Sequence, residues 1–136
     1  MNGKTLLATL AAVLLFALVA CMSAQAEECY MVEAERIVDG DTVVIAGERV
    51  RLMDYDAPEL RGAKCEAERK LAQQATKRLW VLLGGGNVLA CYHGRGKYGR
   101  PLARLWAGGF EVSEVMVSSG LGRPYQGGKR ESWCEQ

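Results

Sequence analysis

The sequence predicts a mixed, mainly β fold: a small five-stranded barrel with two packed helices. Short β-branched segments alternate with turn residues, and one longer stretch between them has apolar residues at helical spacing. The chain has 136 residues, of which 49% are apolar and 24% are charged, and its net charge is +1. This length indicates one domain and excludes tandem repeats and large α/β barrels, while the ordinary composition excludes a disordered chain.

The first 26 residues predict an export signal. Lys4 is their only charged residue, Leu6–Ala20 is an apolar run, and Ala24-Gln25-Ala26 has the small-x-small pattern that signal peptidase cleaves. A membrane anchor is the alternative, but the run is short for a span and no basic stop-transfer segment follows it. We therefore expect a signal peptide over residues 1–26, one domain over residues 27–136 and no stable membrane span.

A second processing signal overlaps the first. Leu18-Val19-Ala20-Cys21 resembles a bacterial lipobox, in which Cys21 would become a lipid-anchored N-terminus. Both routes export the protein. We therefore expect a periplasmic or secreted protein, with a lipoprotein as the alternative.

Four cysteines remain once the signal region is set aside: Cys29, Cys65, Cys91 and Cys134. An even number of cysteines in an oxidising compartment predicts two disulfide bonds, and spacing alone permits three pairings. A zinc site is less favoured, because the sequence has no C-x₂-C pair and His93 is its only histidine. We expect His93 to be a surface loop residue.

Three strands are predicted at the start of the domain. Tyr30–Val38 has mixed faces, Thr42–Ala46 is rich in β-branched residues, and Arg49–Met53 alternates between apolar and polar side chains. The turn residues Asp39-Gly40-Asp41 and Gly47-Glu48 connect these strands into a meander.

A loop over Asp54–Lys64 and a helix over Glu66–Leu83 follow the meander. Gly84-Gly85-Gly86 ends this helix. Its apolar face is predicted to consist of five residues at helical spacing: Ala67, Leu71, Ala75, Leu79 and Leu82.

The second half of the domain predicts two more strands and a short helix. The strands are Asn87–Tyr92 and Pro101–Ala107, with a Gly-rich basic loop over His93–Gly99 between them. The helix is Val112–Ser119, and Leu121–Gln136 is irregular. Five short strands with an intervening helix suit a small closed barrel such as an OB-fold.

Charge is segregated along this order. Residues 27–60 carry ten acids and three basic side chains, a net charge of −7, whereas residues 61–130 carry a net charge of +9. This asymmetry predicts an acidic cluster that holds a cation beside a basic surface that holds an anion. An unevenly charged but otherwise ordinary surface is the alternative.

The acids at strand ends and in the following loop are Asp39, Asp41, Asp54, Asp56 and Glu59. A hairpin of the second and third strands would bring Asp41 near residues 54–56. Carboxylates without a partner repel each other, and a hard divalent cation relieves that repulsion. Oxygen ligands without histidine or cysteine favour Ca²⁺ or Mg²⁺. Considered singly, each acid is better explained by a turn or capping role.

Two basic features accompany these acids. Arg51 is on the polar face of the third strand, and the loop Gly94–Arg100 combines glycines with Lys97 and Arg100. Glycines permit close backbone approach, and the two basic side chains offer donors to phosphate. A simple salt bridge for Arg51 and a solvated turn for the loop are the alternatives.

Three segments in this order resemble the signature of the staphylococcal-nuclease-like (thermonuclease) family. They are Asp39–Thr42, Val50–Glu59 and Lys97–Ala103, and Gly120–Arg123 resembles a later segment of the same family. The resemblance covers about residues 30–126. It implies an OB-fold nuclease that uses one Ca²⁺ ion to hydrolyse phosphodiester bonds of DNA and RNA.

The resemblance also implies a metal site. Asp41 and Asp56 match the carboxylate ligands, and Ala57 matches a position that binds through its backbone carbonyl. Asp39 and Thr42 match positions beside those ligands. Mg²⁺ and Mn²⁺ remain alternatives to Ca²⁺.

The catalytic set follows from the same resemblance. Arg51 and Arg100 match two arginines that grip the scissile phosphate, and Glu59 matches the residue that orients or deprotonates the attacking water. The substrate-contacting positions are Lys97, Tyr98 and Tyr125.

The chain departs from the family pattern in three places. The loop after Glu59 is short, Gly96 stands where an acid commonly precedes the Lys-Tyr-Gly-Arg segment, and the C-terminal helix of the type member is largely absent. Comparison with that type member leads us to expect a Cys65–Cys134 disulfide in place of the helix. Cys29 would then pair with Cys91.

The expected function is an exported, monomeric Ca²⁺-dependent nuclease that prefers single strands and leaves 3′-phosphate ends. A non-catalytic OB-fold protein that binds single-stranded nucleic acid or another anionic polymer of the envelope is the alternative. A structural envelope protein with a residual site is a third hypothesis.

Overall fold

The computed structural model describes residues 27–134, so the predicted export signal and Cys21 lie outside the described residues. The strands are β1 (Glu28–Val32), β2 (Arg36–Asp39), β3 (Thr42–Ile45), β4 (Glu48–Leu52), β5 (Tyr55–Asp56), β6 (Val88–Arg95), β7 (Pro101–Ala107), β8 (Phe110–Glu111) and β9 (Arg123–Pro124). The helices are α1 (Glu66–Leu83) and α2 (Val112–Ser118). Neither described helix has the combined length and hydropathy needed to cross a bilayer.

The mixed, mainly β fold class is confirmed. Six strands form the path β1-β6-β7-β4-β3-β2, in which β4 and β7 pair in parallel and the other neighbours are antiparallel. The two ends of the path, β1 and β2, are consecutive in the chain and are separated by residues 33–35. The predicted closed barrel is wrong in this respect: the ladder is open between β1 and β2, and the covalent chain rather than hydrogen bonding joins its two edges.

The predicted first strand is divided because its two halves have different partners. β1 pairs with β6, whereas β2 pairs with β3, and the chain bends between them at residues 33–35. β6 extends to Arg95, beyond the predicted end at Tyr92, because its pairing with β7 resumes at Arg95 and Pro101 after a register shift. The two-residue strands β5, β8 and β9 were not predicted, since two residues carry no periodicity.

Helix α1 has the predicted bounds but presents a rotated face. The Cys65 side chain caps its N-terminus by accepting from the backbone N–H of Glu68 at 3.4 Å. The predicted Ala67 is exposed, and Leu71 and Leu82 are only partly buried. The buried residues are Glu68, Ala72, Ala75, Leu79 and Leu83. The face is shifted by about one position because α1 packs across β2 and against α2.

The inner face of the sheet, α1 and α2 enclose one core. Tyr55 is the largest fully buried side chain, and its hydroxyl donates to the backbone carbonyl of Gly40 at 2.7 Å. Gly40 lies between the sheet and α1, and a Cβ added there would lie 2.7 Å from the Ala57 Cβ and 2.8 Å from the Ala75 Cβ. This close approach fixes the β2–β3 turn, which carries Asp41, against the helix.

We expect Gly40→Ala to destabilise the protein by about 1–3 kcal/mol, because overpacking displaces either α1 or the turn. Gly62→Ala is the matched control, since its nearest neighbour would be the Glu59 Cβ at 3.8 Å. Urea unfolding of both variants measures the difference. Equal stability of the two variants would contradict this packing.

Candidate active site

Strands β3, β4 and β5 bring Asp41, Arg51 and Asp56 together. Thr42 and Arg51 are paired residues in the β3–β4 ladder, so the Arg51 side chain lies beside the end of β3. Arg51 Nη1 lies 2.9 Å from Asp41 Oδ2, and Arg51 Nη2 lies 3.5 Å from Asp56 Oδ1. All three side chains are buried. Buried charges require partners, and here a single guanidinium joins both acids.

Further hydrogen bonds fix the Arg51 guanidinium. Its nitrogens donate to the backbone carbonyl of Leu52 at 3.0 Å and to that of Tyr55 at 3.1 Å. The carbonyls of two neighbouring elements therefore orient the group before any substrate arrives. Such preorganisation is what a charged catalytic group needs, because it lowers the cost of reorganisation during the reaction.

Three nearby hydrogen bonds fix the position of Asp41. Its Oδ1 accepts from the Thr42 hydroxyl at 3.1 Å and its Oδ2 from the Ala57 N–H at 2.9 Å, while the Asp39 carboxylate accepts from the Asp41 N–H at 3.2 Å. Burial raises the pKa of Asp41 to about 7, Arg51 opposes this shift, and the charge of Asp39 adds to it. Negative charge is therefore only partly compensated around Asp41.

These residues fit a hard divalent cation. Two buried carboxylates and the adjacent Ala57 backbone supply oxygen ligands only, which is the donor set of Ca²⁺ or Mg²⁺ sites. Burial is the main cause of the raised pKa of Asp41, and a cation beside this carboxylate would favour its charged form. Two other clusters have metal-ligand side chains within residues 27–134, but both include disulfide-bonded cysteines, whose sulfurs are occupied.

Glu59 is on the loop that follows β5. Its backbone N–H donates to Glu68 Oε1 at 3.2 Å, and the Lys64 N–H donates to Glu68 Oε2 at 2.8 Å. The buried Glu68 side chain of α1 thereby holds both ends of the short loop. The Glu59 carboxylate itself is 48% exposed and lies 2.9 Å from Arg130 Nη1.

The predicted catalytic and substrate-contacting residues line one cleft of about 870 Å³: Arg51, Glu59, Lys97, Tyr98, Arg100 and Tyr125. Arg100 reaches it from the β6–β7 turn, where the Gly96 N–H donates to the Arg100 carbonyl at 2.8 Å and Gly99 adopts a left-handed φ of 74°. Asp56 and Ala57 line the neighbouring pocket, and Glu59 and Arg130 border both.

Asp54 lines the same cleft but is engaged by other partners, and His93 does not line the cleft. The Asp54 carboxylate pairs with Arg104 and accepts from Gln126 at 3.0 Å, and the Arg104 hydrogen bond lowers its pKa. Asp54 therefore does not join the acids around Arg51. His93 is in β6 rather than in a loop, where it contacts Glu27 and lies 3.0 Å from Arg104 Nη1.

The C-terminal segment contributes residues that sequence analysis missed. Trp133 is buried and its indole N–H donates to Asp56 Oδ2 at 3.4 Å, while Arg123 stacks 3.8 Å from the Trp133 ring. Arg130 Nε lies 3.1 Å from Asp56 Oδ1. Residues 124–134 have no periodicity, and sequence analysis singled out only Tyr125 and Cys134 among them. The disulfide to Cys65 holds Cys134 at the start of α1.

Both disulfides have the expected pairing. Cys29 and Cys91 face each other in the β1–β6 ladder and form one bond, and Cys65 pairs with Cys134. Two disulfides in so small a domain are typical of proteins outside the cytoplasm.

Comparison with known proteins gives the family. The family model described as "Staphylococcal nuclease homologue" matches residues 49–134, more than half of the chain. The chain therefore belongs to the staphylococcal nuclease family, as its sequence motifs and its fold indicate.

Two curated relatives illustrate the similarity. A protein of Escherichia coli O157:H7 named "Uncharacterized endonuclease" is 30% identical over 96 residues, which are 67% of this chain and 58% of that protein. "Succinoglycan biosynthesis protein ExoI" of Rhizobium meliloti (strain 1021) is 34% identical over 90 residues, which are 62% of this chain and 47% of that protein. This chain spans about half the length of these relatives.

We expect the Cys65→Ser/Cys134→Ser protein to expose Trp133, because nothing covalent then holds the segment against Asp56. The loop that this bond closes implies a loss of about 2–4 kcal/mol of stability. Tryptophan emission in the absence of denaturant should shift to the red.

The matched control is Cys29→Ser/Cys91→Ser, which opens a loop of similar length, with a sequence separation of 62 against 69. It should lose comparable stability without the emission shift. The same shift in both proteins would contradict a local role for the Cys65–Cys134 bond.

Proposed function

We propose that this protein is an exported Ca²⁺-dependent nuclease that hydrolyses phosphodiester bonds of DNA and RNA. One observation carries the proposal: Arg51, Glu59 and Arg100 line a single cleft, beside two buried carboxylates that suit a divalent cation. Membership of the staphylococcal nuclease family and a relative named as an endonuclease support it.

Arg51 and Arg100 carry the positive charge that would stabilise a phosphodiester and its more negative transition state. A phosphodiester is an anion, and more negative charge develops on its non-bridging oxygens as a nucleophile attacks phosphorus. A planar guanidinium holds two such oxygens at once, which a lysine ammonium cannot reproduce. Arg51 is fixed by its backbone contacts, whereas Arg100 forms no salt bridge within the described residues and is available to the phosphate.

Glu59 is suited to act on the attacking water. Its carboxylate is half-exposed at the border between the cleft and the pocket lined by Asp56 and Ala57. From there it would orient the water or accept its proton. The Ca²⁺ ion held by Asp41, Asp56 and the Ala57 carbonyl would neutralise phosphate charge.

The cleft also supports a preference for single strands. Tyr98, which is 78% exposed, and the partly buried Tyr125 both line the cleft, and the Tyr98 ring is open to an unpaired base. Base–aromatic stacking tolerates any sequence and requires bases that are not already stacked in a duplex. Lys97 beside Tyr98 offers a contact to the phosphate backbone of the nucleic acid.

We propose that the protein is a monomer and that its cleavage leaves 3′-phosphate ends.

The proposed location is outside the cytoplasm. The two disulfides support export, and the N-terminal signal peptide, cleaved after Ala26 or lipidated at Cys21, would direct it.

A non-catalytic binding protein is the second candidate. One observation favours it: Arg130 engages both Asp56 and Glu59, which would neutralise the residues needed for hydrolysis. This candidate predicts binding of single strands that survives chelation and leaves the substrate at full length.

We expect Glu59→Gln and Arg100→Ala to lower the cleavage rate by about 100- to 1,000-fold, because each removes a group aimed at the transition state. Glu33→Gln and Arg78→Ala are the controls, since both residues are exposed and lie outside the cleft. Cleavage of labelled single-stranded DNA and RNA, followed by gel electrophoresis, measures the rates. Turnover equal to wild type in either site variant would contradict the assignment.

We expect cleavage to stop when EGTA removes Ca²⁺ and to return when Ca²⁺ is restored, because the ion would neutralise charge on the phosphate during attack. Product length and end chemistry are measured in Ca²⁺, Mg²⁺, Mn²⁺ and EGTA. Unchanged cleavage in EGTA would overturn the Ca²⁺ requirement, and binding without any shortening would favour the second candidate.

A further inference from the structure

The C-terminal strap, residues 123–134, crosses the site and is fixed at both ends. It begins as β9, in which Arg123 pairs with Asp56 of β5, and it ends at Cys134, which is bonded to Cys65 at the start of α1. The strap therefore runs from the strand that carries Asp56 to the helix that holds the Glu59 loop.

Arg130 is the residue of the strap that meets the acids. Its Nε lies 3.1 Å from Asp56 Oδ1, and its Nη1 lies 2.9 Å from Glu59 Oε1. One guanidinium thus joins a proposed metal ligand to the proposed water-activating carboxylate. Its charge is placed where the metal site needs positive charge.

Both carboxylate oxygens of Asp56 already have partners in this arrangement. Oδ1 receives both Arg130 and Arg51, the latter at 3.5 Å, and Oδ2 accepts from Trp133 at 3.4 Å. A divalent ion bound to Asp56 Oδ1 would share that oxygen with the Arg130 guanidinium, whose Nε lies 3.1 Å from it. Two cations on one oxygen of a partly buried site repel each other strongly. The ion and the Arg130–Asp56 contact therefore exclude each other.

We propose that Arg130 is an internal counter-cation that a divalent metal ion must displace from Asp56, so that Arg130 sets the affinity of the protein for the metal. This inference rests on the proposed function, in which Asp56 is a metal ligand. Arg51 is different, because backbone carbonyls on two sides hold it in place. Arg130 has two carboxylate contacts, and its side chain is 39% exposed.

The strap can release Arg130 without coming apart. Gly127 and Gly128 precede the arginine with left-handed φ values of 99° and 92°, which only glycine adopts at low cost. Trp133 and the disulfide hold the far end. The side chain can therefore leave Asp56 by rotation toward the cleft, which it already borders, while β9 and Cys134 keep their positions.

The test is Ca²⁺ binding by calorimetry to the mature protein without nucleic acid, comparing wild type, Arg130→Gln and Lys129→Gln. We expect Arg130→Gln to bind Ca²⁺ at least about fivefold more tightly, because Arg130 no longer occupies Asp56 and the fraction of molecules competent to bind the ion rises. Lys129 is the matched control: it precedes Arg130, carries the same charge and forms no salt bridge with Asp56 or Glu59. Lys129→Gln removes the same charge from the pocket that Asp56 lines but breaks no carboxylate contact, so its effect on the affinity should be clearly smaller.

Arg130→Lys gives a second measurement. It keeps the charge but cannot contact both carboxylates through one planar group, so its Ca²⁺ affinity should lie between those of wild type and Arg130→Gln. Circular dichroism and thermal unfolding establish that each variant is folded. If Arg130→Gln is unfolded without Ca²⁺, the affinity order of wild type and Arg130→Lys decides the question.

Each outcome is informative. Unchanged or weaker Ca²⁺ binding by Arg130→Gln, or equal effects of the Arg130 and Lys129 variants, would overturn the inference even if wild type cleaves nucleic acid with Ca²⁺. Tighter binding without any cleavage would support the inference and contradict the nuclease. Absence of Ca²⁺ binding by every variant would overturn the inference and the metal site together.

Discussion

Arg51 lies buried between Asp41 and Asp56, and the geometry of the site depends on this ion-paired trio. The pairing of Thr42 with Arg51 places the arginine at the end of β3, and backbone carbonyls of Leu52 and Tyr55 orient it. Two acids can stay buried there because one guanidinium joins them. The trio of two carboxylates and one guanidinium keeps a net charge of −1, which favours a cation beside it.

The rest of the domain supports the trio from both sides. Gly40 lets the turn before Asp41 approach α1, and the buried Glu68 of that helix holds the loop that carries Glu59. On the other side, Trp133 and Arg130 of the strap both donate to the Asp56 carboxylate. The disulfide at the end of the strap thus does more than stabilise a small core, because it fixes donors against a proposed metal ligand.

Local patterns predicted most of the fold. α1 has the predicted bounds because its periodicity and its glycine terminus agree, but the buried face depends on packing against β2, which no local pattern reports. The residues around Arg51 were predicted from three ordered motifs of one family. Arg130 and Trp133 were missed, since a long irregular segment closed by a distant disulfide leaves no periodic signal, and Asp54 was misplaced because its partner Arg104 lies on β7.

The most direct test of the account is the position of the metal ion. Crystals of the mature protein grown with Ca²⁺, or with Mn²⁺ for its anomalous signal, would locate it. The account predicts one ion about 2.3–2.6 Å from oxygens of Asp41, Asp56 and Ala57 when Ca²⁺ is bound, with Arg130 withdrawn from Asp56. An ion bound elsewhere, or Arg130 still paired with Asp56 beside a bound ion, would contradict it.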